Sequence, residues 1–192
     1  MPLLKRIGAF GDAPNAANRR ILAINGDPDP RNTSFCARLC NAYVRGARSA
    51  EQMVRRLNAG DISFEAQTPS HGNALEAVLA DLQWTTHVFL IFPLLRGEPP
   101  AVLCDLFREH LTRPTALHRT GNPTVRMVIT TDMPAFLQRE AFQHSAAAQR
   151  LYALLPKVCH TRQDFVGSVR SMGFEQQNWW LETMREHGAR AA

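Results

Sequence analysis

The sequence predicts an α/β fold built on a doubly wound parallel sheet. Short apolar runs alternate along the chain with segments of helical spacing, a pattern typical of parallel strands joined by helical crossovers. The run His87–Phe92, HVFLIF, contains no polar alternation, which indicates a central strand covered by helices on both faces. With 192 residues, the chain is long enough for one such core and short for two.

The first strand is predicted at Ile21–Ile24, before a turn-rich segment of Gly, Asp, Pro and Asn. A helix is predicted over Ser34–Ala50, where apolar residues recur at helical spacing. A strand that passes through a loop into a helix forms an anion cradle, because the first N–H groups of the helix lack intrahelical partners. The loop contains no lysine, which favours a phosphate held as part of a cofactor over one being transferred.

The remaining elements continue the alternation, and no repeat or second-domain linker interrupts them. Residues 21–192 are therefore expected to form one domain, and Met1–Arg20 a polar N-terminal extension. The further strands are predicted at Met53–Leu57, Val125–Thr130 and Phe165–Val169, and the further helices at Ala74–Leu82, Pro99–Leu111, Gln138–Leu155 and Glu175–His187.

Composition excludes several classes of function. The net charge of +5 is mild and the arginines are scattered, so we expect no nucleic-acid partner. No apolar run reaches the roughly 18 residues of a membrane span. The first twenty residues lack a hydrophobic core of the secretory type, and a cytoplasmic location is expected.

Cysteine and histidine spacing predicts no metal site. The four cysteines match neither a disulfide framework nor a zinc pattern, and reduced thiols are expected. A His/Cys/Asp hydrolase stays open, although no GxSxG elbow supports one. The dinucleotide fingerprint and the Walker loop are absent after the predicted strands.

Ligands of doubly wound sheets bind beyond the carboxyl ends of the strands. Three loops occupy those positions here, Gly26–Ser34, Pro93–Pro99 and Thr130–Phe136, and all are rich in Gly, Pro, Thr or Asn. They carry three motifs: Ile21–Asn25 followed by GDPDP and Ser34-Phe35, then FPLLRGEPPAVLCDLF at Phe92–Phe107, then TTDMPAF.

In order and spacing, these motifs resemble those of the flavodoxin-like NAD(P)H:quinone reductases, over roughly Arg20 to His187. This family includes the mammalian quinone reductases and the bacterial modulators of drug activity. The resemblance implies a three-layer, five-stranded sheet of order 2-1-3-4-5, a homodimer, and FAD or FMN held without a covalent bond. It further implies a ping-pong cycle in which NAD(P)H gives a hydride to the flavin and two electrons pass to a quinone or similar acceptor.

The resemblance also implies site residues. Thr33, Ser34 and Phe35 would hold the phosphate and ribityl chain, with His144 as a proton donor. The full set of expected cofactor contacts is Asn32, Thr33, Ser34, Phe35, Pro93, Leu94, Leu95, Arg96, Thr130, Thr131, Asp132 and Met133.

Several positions depart from the family pattern. Asp27 replaces a common His, Cys36 replaces Asn, and Leu95-Arg96 replaces an aromatic pair or Gln-Trp. Asp132 stands where Gly is usual, which predicts strain if its φ is positive. Arg96 is expected to offset that carboxylate by pairing with it, or to stabilise the reduced flavin directly.

These departures motivate an alternative, a flavodoxin-fold paralogue that has lost its flavin and acts as a binding or regulatory protein. Simpler structural roles also stay open for single residues. Ser34 is a candidate helix N-cap, and Asp27 a candidate Asx-turn residue. Of Trp179 and Trp180, we expect one to pack inward and the other to be left for a partner.

Overall fold

The computed structural model describes residues 19–61, 69–110, 124–146, 148–149 and 161–191. Five parallel strands form one sheet in the order β2-β1-β3-β4-β5, which confirms the predicted fold class and strand order. The strands are β1 (Arg20–Asn25), β2 (Met53–Asn58), β3 (His87–Pro93), β4 (Thr124–Thr130) and β5 (Thr161–Val166). The helices are α1 (Phe35–Ser49), α2 (Pro69–Trp84), α3 (Ala101–His110), α4 (Ala135–Gln143) and α5 (Phe174–Arg190).

The core has two halves, one on each face of the sheet. Alternate residues of each strand point to opposite faces, so Phe89 and Ile91 of β3 pack under α1 and α5. Leu90 and Phe92 pack on the other face, with residues of α2, α3 and α4. Because β3 is buried on both faces, its sequence is a continuous apolar run, as the sequence predicted.

Strand β5 differs most from its prediction. It begins at Thr161 and ends at Val166, whereas the prediction placed it at Phe165–Val169. The strand lies at the edge of the sheet, paired with β4 alone, and its first four residues are exposed or half-buried. An edge strand of this kind has no apolar run to mark its start. Val169 lies in a short 3₁₀ helix, Val169–Ser171.

Helix α4 was also predicted with the wrong bounds. It begins at Ala135 rather than Gln138 and ends at Gln143, with His144 as its C-cap. Ser145 starts a new turn, in which its hydroxyl accepts a hydrogen bond from the Ala148 N–H. Residues 150–155 of the predicted helix, residue 111 of the third predicted helix and residues 1–18 of the predicted extension lie outside the described residues.

Smaller differences concern the other element ends. Strand β1 starts at Arg20, one residue earlier than predicted, and α2 extends beyond Ala74–Leu82 at both ends. Pro99 and Pro100 precede α3 instead of forming its first turn, and the Pro100 carbonyl accepts from the Leu103 N–H. Within the described ranges, no helix has both the length and the apolar character that crossing a membrane requires.

Candidate functional site

Three loops meet at the carboxyl edge of the sheet, as the sequence predicted. Strand order reverses between the neighbouring strands β1 and β3, which is where ligands bind in sheets of this type. The Gly26 N–H donates to the Ile91 carbonyl at 2.7 Å, and the Leu94 N–H donates to the Thr130 carbonyl at 2.8 Å. The loops after β1, β3 and β4 are thereby fixed to one another.

The loop after β1 is built from side-chain hydrogen bonds to its own backbone. The Asn25, Asp27 and Asp29 side chains accept from the N–H groups of Asp27, Asp29 and Arg31 respectively, at 2.9 to 3.3 Å. These are Asx turns, so the structural role considered for Asp27 is confirmed. Asn32 closes the loop in the left-handed region at φ 54°, which its short side chain tolerates.

Ser34 is the N-cap of α1. Its hydroxyl oxygen accepts from the Ala37 N–H at 3.1 Å, as considered from the sequence. Helix geometry leaves the first N–H groups of α1 without intrahelical acceptors. Exposed Thr33 and half-buried Phe35 flank this helix end. The end of the helix therefore offers backbone donors and the positive end of the helix dipole to an anion.

Cys36 connects this helix start to β4. Its thiol lies 2.9 Å from the Thr130 hydroxyl, and both residues are buried. Burial raises the pKa of the Cys36 thiol far above its usual range, and the nearby Asp27 carboxylate adds to the rise. Cys36 is therefore held as a neutral thiol and is no nucleophile, while the Thr130 side chain faces α1.

The loop after β3 is a tight two-residue turn. The Leu95 N–H donates to the Glu98 carbonyl at 2.8 Å, and the Glu98 N–H donates back at 3.1 Å. Between them, Arg96 has φ 55° and Gly97 has φ 86°, which is the pattern of a type I′ turn. Arginine is an unusual choice at a left-handed position, where Gly, Asn and Asp are favoured.

A cleft of about 490 Å³ lies between this turn, the loop after β4 and one face of α4. Buried Leu94, Thr131, Gln138 and Phe142 line its inner part. The exposed side chains of Arg96, Glu98, Asp132 and Met133 line its mouth. Helix α4 contributes Gln138, Ala141 and Phe142, whose spacing puts them on one face, and Ser145 follows from the turn after the helix.

The predicted pairing of Arg96 with Asp132 is wrong. Asp132 instead forms an ion pair with Arg170, with Nε and Oδ2 2.9 Å apart. Arg170 follows β5, whose loop is hydrogen-bonded to the loop after β4 at Thr131 and Met133, so it is the nearer partner. The strain considered at Asp132 is also not found, since the positive φ among these residues belongs to Arg96.

The structure brings part of the predicted site together. Leu94, Arg96, Thr131, Asp132 and Met133 line the cleft. The predicted residues Asn32–Phe35 form the first loop and its helix start. Pro93 ends β3, and Leu95 is exposed on the turn. His144 is exposed at the end of α4, beside Ser145 of the cleft wall, and its role as a proton donor stays a prediction.

Sequence analysis missed Glu98, Gln138 and Phe142 as cleft residues. Gln138 and Phe142 both fell within the predicted helix Gln138–Leu155, but the sequence does not show which face of that helix turns toward the loops. Among the described residues, no group of His, Cys, Asp and Glu side chains is arranged to hold a metal ion.

Comparison with known proteins places this arrangement in a family. A family model described as a flavodoxin-like fold matches residues 19–162, more than half of the chain. The chain belongs to this flavodoxin-like family. No curated protein sequence matches the chain significantly.

Solved structures share the fold at low sequence identity. An NAD(P)H:quinone oxidoreductase from Methanothermobacter marburgensis aligns with TM-score 0.68 and 12% identity, over 90% of this chain and 96% of that one. An FMN-dependent NADH-azoreductase from Bacillus anthracis, solved with FMN, aligns with TM-score 0.64 and 10% identity, over 88% and 98%. An NADPH-quinone reductase from P. pentosaceus aligns with TM-score 0.60 and 15% identity, over 88% and 97%.

Proposed function

We propose that the protein is a flavin-dependent NAD(P)H oxidoreductase that passes two electrons, in a ping-pong hydride mechanism, to a quinone or similar acceptor. One observation carries the proposal: a helix N-terminus suited to a phosphate and a cleft of about 490 Å³ stand at the same edge of the sheet. The family and the names of the structural relatives support a flavin, FAD or FMN, as the ligand.

The residues present fit a non-covalently bound flavin. The backbone N–H groups at the start of α1 can bind a phosphate, and the loop before this helix contains no lysine. The inner cleft combines apolar Leu94 and Phe142 with the neutral polar side chains of Thr131 and Gln138. That combination suits a flat ring whose edge carries polar atoms.

When bound, a flavin supplies the redox chemistry, accepting a hydride from NAD(P)H and giving two electrons to the acceptor. The chain binds and orients the reactants. In this proposal Thr33, Ser34 and Phe35 hold the phosphate end, and Leu94, Leu95 and Thr131 border the ring. Arg96, at the mouth of the cleft, offsets negative charge that develops on the ring.

A second subunit is part of the proposal. Large apolar side chains are exposed beside the cleft, with Phe136 70% exposed and Leu95, Met133 and Leu137 between 45% and 49%. In this proposal these exposed apolar side chains contact the second subunit. A homodimer that covers these residues would also exclude water from the cleft.

The alternative is a paralogue that binds no flavin. The first loop carries Asp27 and Asp29. The Asp27 carboxylate lies close enough to Cys36, in the first turn of α1, to raise the pKa of that thiol, and a carboxylate there opposes a phosphate. Asp29 is neutralised by Arg31, with Nε and Oδ1 3.0 Å apart, whereas among the described residues no cation forms an ion pair with Asp27. This observation keeps the binding or regulatory function as the second candidate.

One experiment separates the two candidates. The purified protein is denatured, any released flavin is identified by chromatography, and the native protein is tested for NADPH oxidation with a quinone. The proposal predicts that each chain releases about one FAD or FMN and that the native protein oxidises NADPH only when a quinone is present. A colourless protein that takes up neither flavin on titration would leave the binding protein as the better account.

The contribution of Arg96 is tested on the cofactor itself. Removing a positive charge near the ring disfavours the reduced, more negative form, so Arg96→Ala is expected to lower the reduction potential of the bound flavin. An unchanged potential would remove Arg96 from the mechanism.

A further inference from the structure

Gln138 is a buried polar side chain in the wall of the cleft that keeps hydrogen-bond donors free. It is 4% exposed and lies in the first turns of α4. Its side-chain oxygen accepts a hydrogen bond from the Thr131 hydroxyl, with the two oxygens 3.4 Å apart. Within the described part of the chain, no atom accepts from the two N–H groups of its amide.

Thr131 fixes which end of the Gln138 amide faces the cleft. The Thr131 hydroxyl already accepts from the Met133 N–H at 3.2 Å, so its own proton is available for the Gln138 oxygen. The Thr131 backbone is fixed as well, since its N–H donates to Val166 and its carbonyl accepts from Val169. The oxygen of Gln138 is thus held against Thr131, and the amide NH₂ is left for the cleft.

The surroundings of this amide select the chemistry of its ligand. The neighbouring buried side chains of the inner cleft, Leu94 and Phe142, are apolar, and the charged Arg96, Glu98 and Asp132 lie at the exposed mouth. A phosphate or carboxylate placed at the inner end would lack a buried cation. A neutral amide donor between apolar walls instead fits a neutral acceptor on a flat ring, which is a carbonyl oxygen.

We infer that the Gln138 amide donates a hydrogen bond to a ring carbonyl oxygen of the ligand in the cleft. The inference rests on the proposed function, and two ligands there carry such an oxygen: the pyrimidine ring of a flavin and a quinone acceptor. Gln138 orients the ring by this bond, and Thr131 is a positioning residue that holds the amide in the required direction.

The test compares Gln138→Met and Gln138→Glu with the control Gln143→Met. Methionine keeps the length of the side chain without the donor, and glutamate presents a carboxylate to the carbonyl. Gln143 is an exposed residue on the same helix and outside the cleft wall. Flavin affinity is measured by fluorescence titration of the apoprotein, and KM by steady-state kinetics with benzoquinone and with ferricyanide, which has no carbonyl group.

A neutral hydrogen bond contributes about 0.5 to 1.5 kcal/mol, equivalent to about two- to tenfold in affinity. If the carbonyl belongs to the flavin, Gln138→Met raises its Kd by this factor, and Gln138→Glu raises it further. If the carbonyl belongs to the acceptor, the flavin Kd is unchanged and the KM for benzoquinone rises while that for ferricyanide does not. Either result supports the inference.

The inference is overturned if both Gln138 variants match Gln143→Met in flavin Kd and in both KM values. If the Gln138 variants fail to fold, the inference is tested on the wild-type protein by NMR. The side-chain amide signals of Gln138 are expected to shift when flavin or benzoquinone is added. Unshifted signals overturn the inference. If the wild type binds no flavin at all, the proposed function fails and this inference fails with it. If the wild type binds flavin but the Gln138 variants change neither the flavin Kd nor either KM, the inference alone is overturned and the proposed function stands.

Discussion

The thiol of Cys36 lies 2.9 Å from the hydroxyl of Thr130. This contact joins the first turn of α1 to the last residue of β4 across the carboxyl edge of the sheet. It also lies between two motifs that sequence analysis assigned to one cofactor site. Because the side chains of both residues contact each other, they hold the loops in place. Their contribution to ligand binding therefore comes from the backbone that they position.

Cys36 and Cys40 are expected to resist alkylation in the native protein. Burial raises the pKa of Cys40 to about 11 and that of Cys36 further, and the reactive species is the thiolate. Treatment with iodoacetamide at pH 8, followed by mass spectrometry of peptides, is expected to label both only after denaturation. Rapid labelling of Cys36 in the folded protein would contradict its placement under the loops.

Gly167→Ala is expected to disturb the cleft. A Cβ at Gly167 would lie 2.2 Å from the Ala135 nitrogen and 2.7 Å from the Met133 oxygen, and these backbone atoms cannot move without shifting the start of α4. Overpacking of this kind costs about 1 to 3 kcal/mol, measurable by urea unfolding, and flavin affinity should fall as well.

Gly173→Ala is the matched control for that substitution. A Cβ at Gly173, six residues later, meets no atom within 4 Å, and its φ of −67° suits alanine. Because Gly173 is the N-cap of α5, where alanine is less favourable than glycine, the free energy of unfolding should fall by at most about 1 kcal/mol and by less than for Gly167→Ala. Equal effects of the two substitutions would mean that the loop after β5 does not pack on α4 as described.

Arg96→Asn is expected to stabilise the protein. Arg96 has φ 55° at the first central position of the type I′ turn, where a left-handed conformation costs a non-glycine residue about 1 to 2 kcal/mol and asparagine less. The free energy of unfolding should therefore rise by about 0.5 to 1 kcal/mol. A destabilised variant would show that the Arg96 side chain makes contacts that outweigh the backbone strain.

The sequence predicted those parts of the fold that depend on burial on both faces. Strands β1, β3 and β4 are apolar runs because helices cover them, whereas β5 begins with Thr161-Arg162-Gln163 at the edge and carries no such signal. The loops that form the site were predicted because they follow these buried strands.

The details of the site were less accessible to sequence analysis. The partner of Asp132 is set by the loop after β5, and the direction of the Gln138 amide is set by the Thr131 hydroxyl. The first is a contact between segments distant in sequence, whereas the second joins a loop to the helix that follows it, seven residues along the chain. The turn at Arg96-Gly97 lacks the Asn or Asp that usually marks a type I′ turn, so its tight form was not recognised.

The amino end of the sheet holds His87 as a buried, neutral side chain. His87 is 2% exposed, its Nδ1 lies 2.6 Å from the Thr124 hydroxyl, and within the described residues its Nε2 has no partner. Burial, together with the charges of Arg19, Arg126 and Arg162, lowers the pKa of His87 to about 3. The pKa of His187 is lowered to about 4, and burial is the largest cause, followed by the charge of Arg126.

Acidification is therefore expected to destabilise the fold between about pH 6.5 and pH 3. A histidine whose pKa is lower in the folded state binds more protons when unfolded, so the free energy of unfolding falls as the pH drops through this interval. His87 alone should account for about 2 kcal/mol between pH 8 and pH 5. His87→Gln, which cannot take up the proton, should flatten the pH dependence measured by urea unfolding, and His187→Gln should flatten it less. A His87→Gln variant with the full wild-type slope would show that His87 is hydrated or paired with an acid in the folded protein.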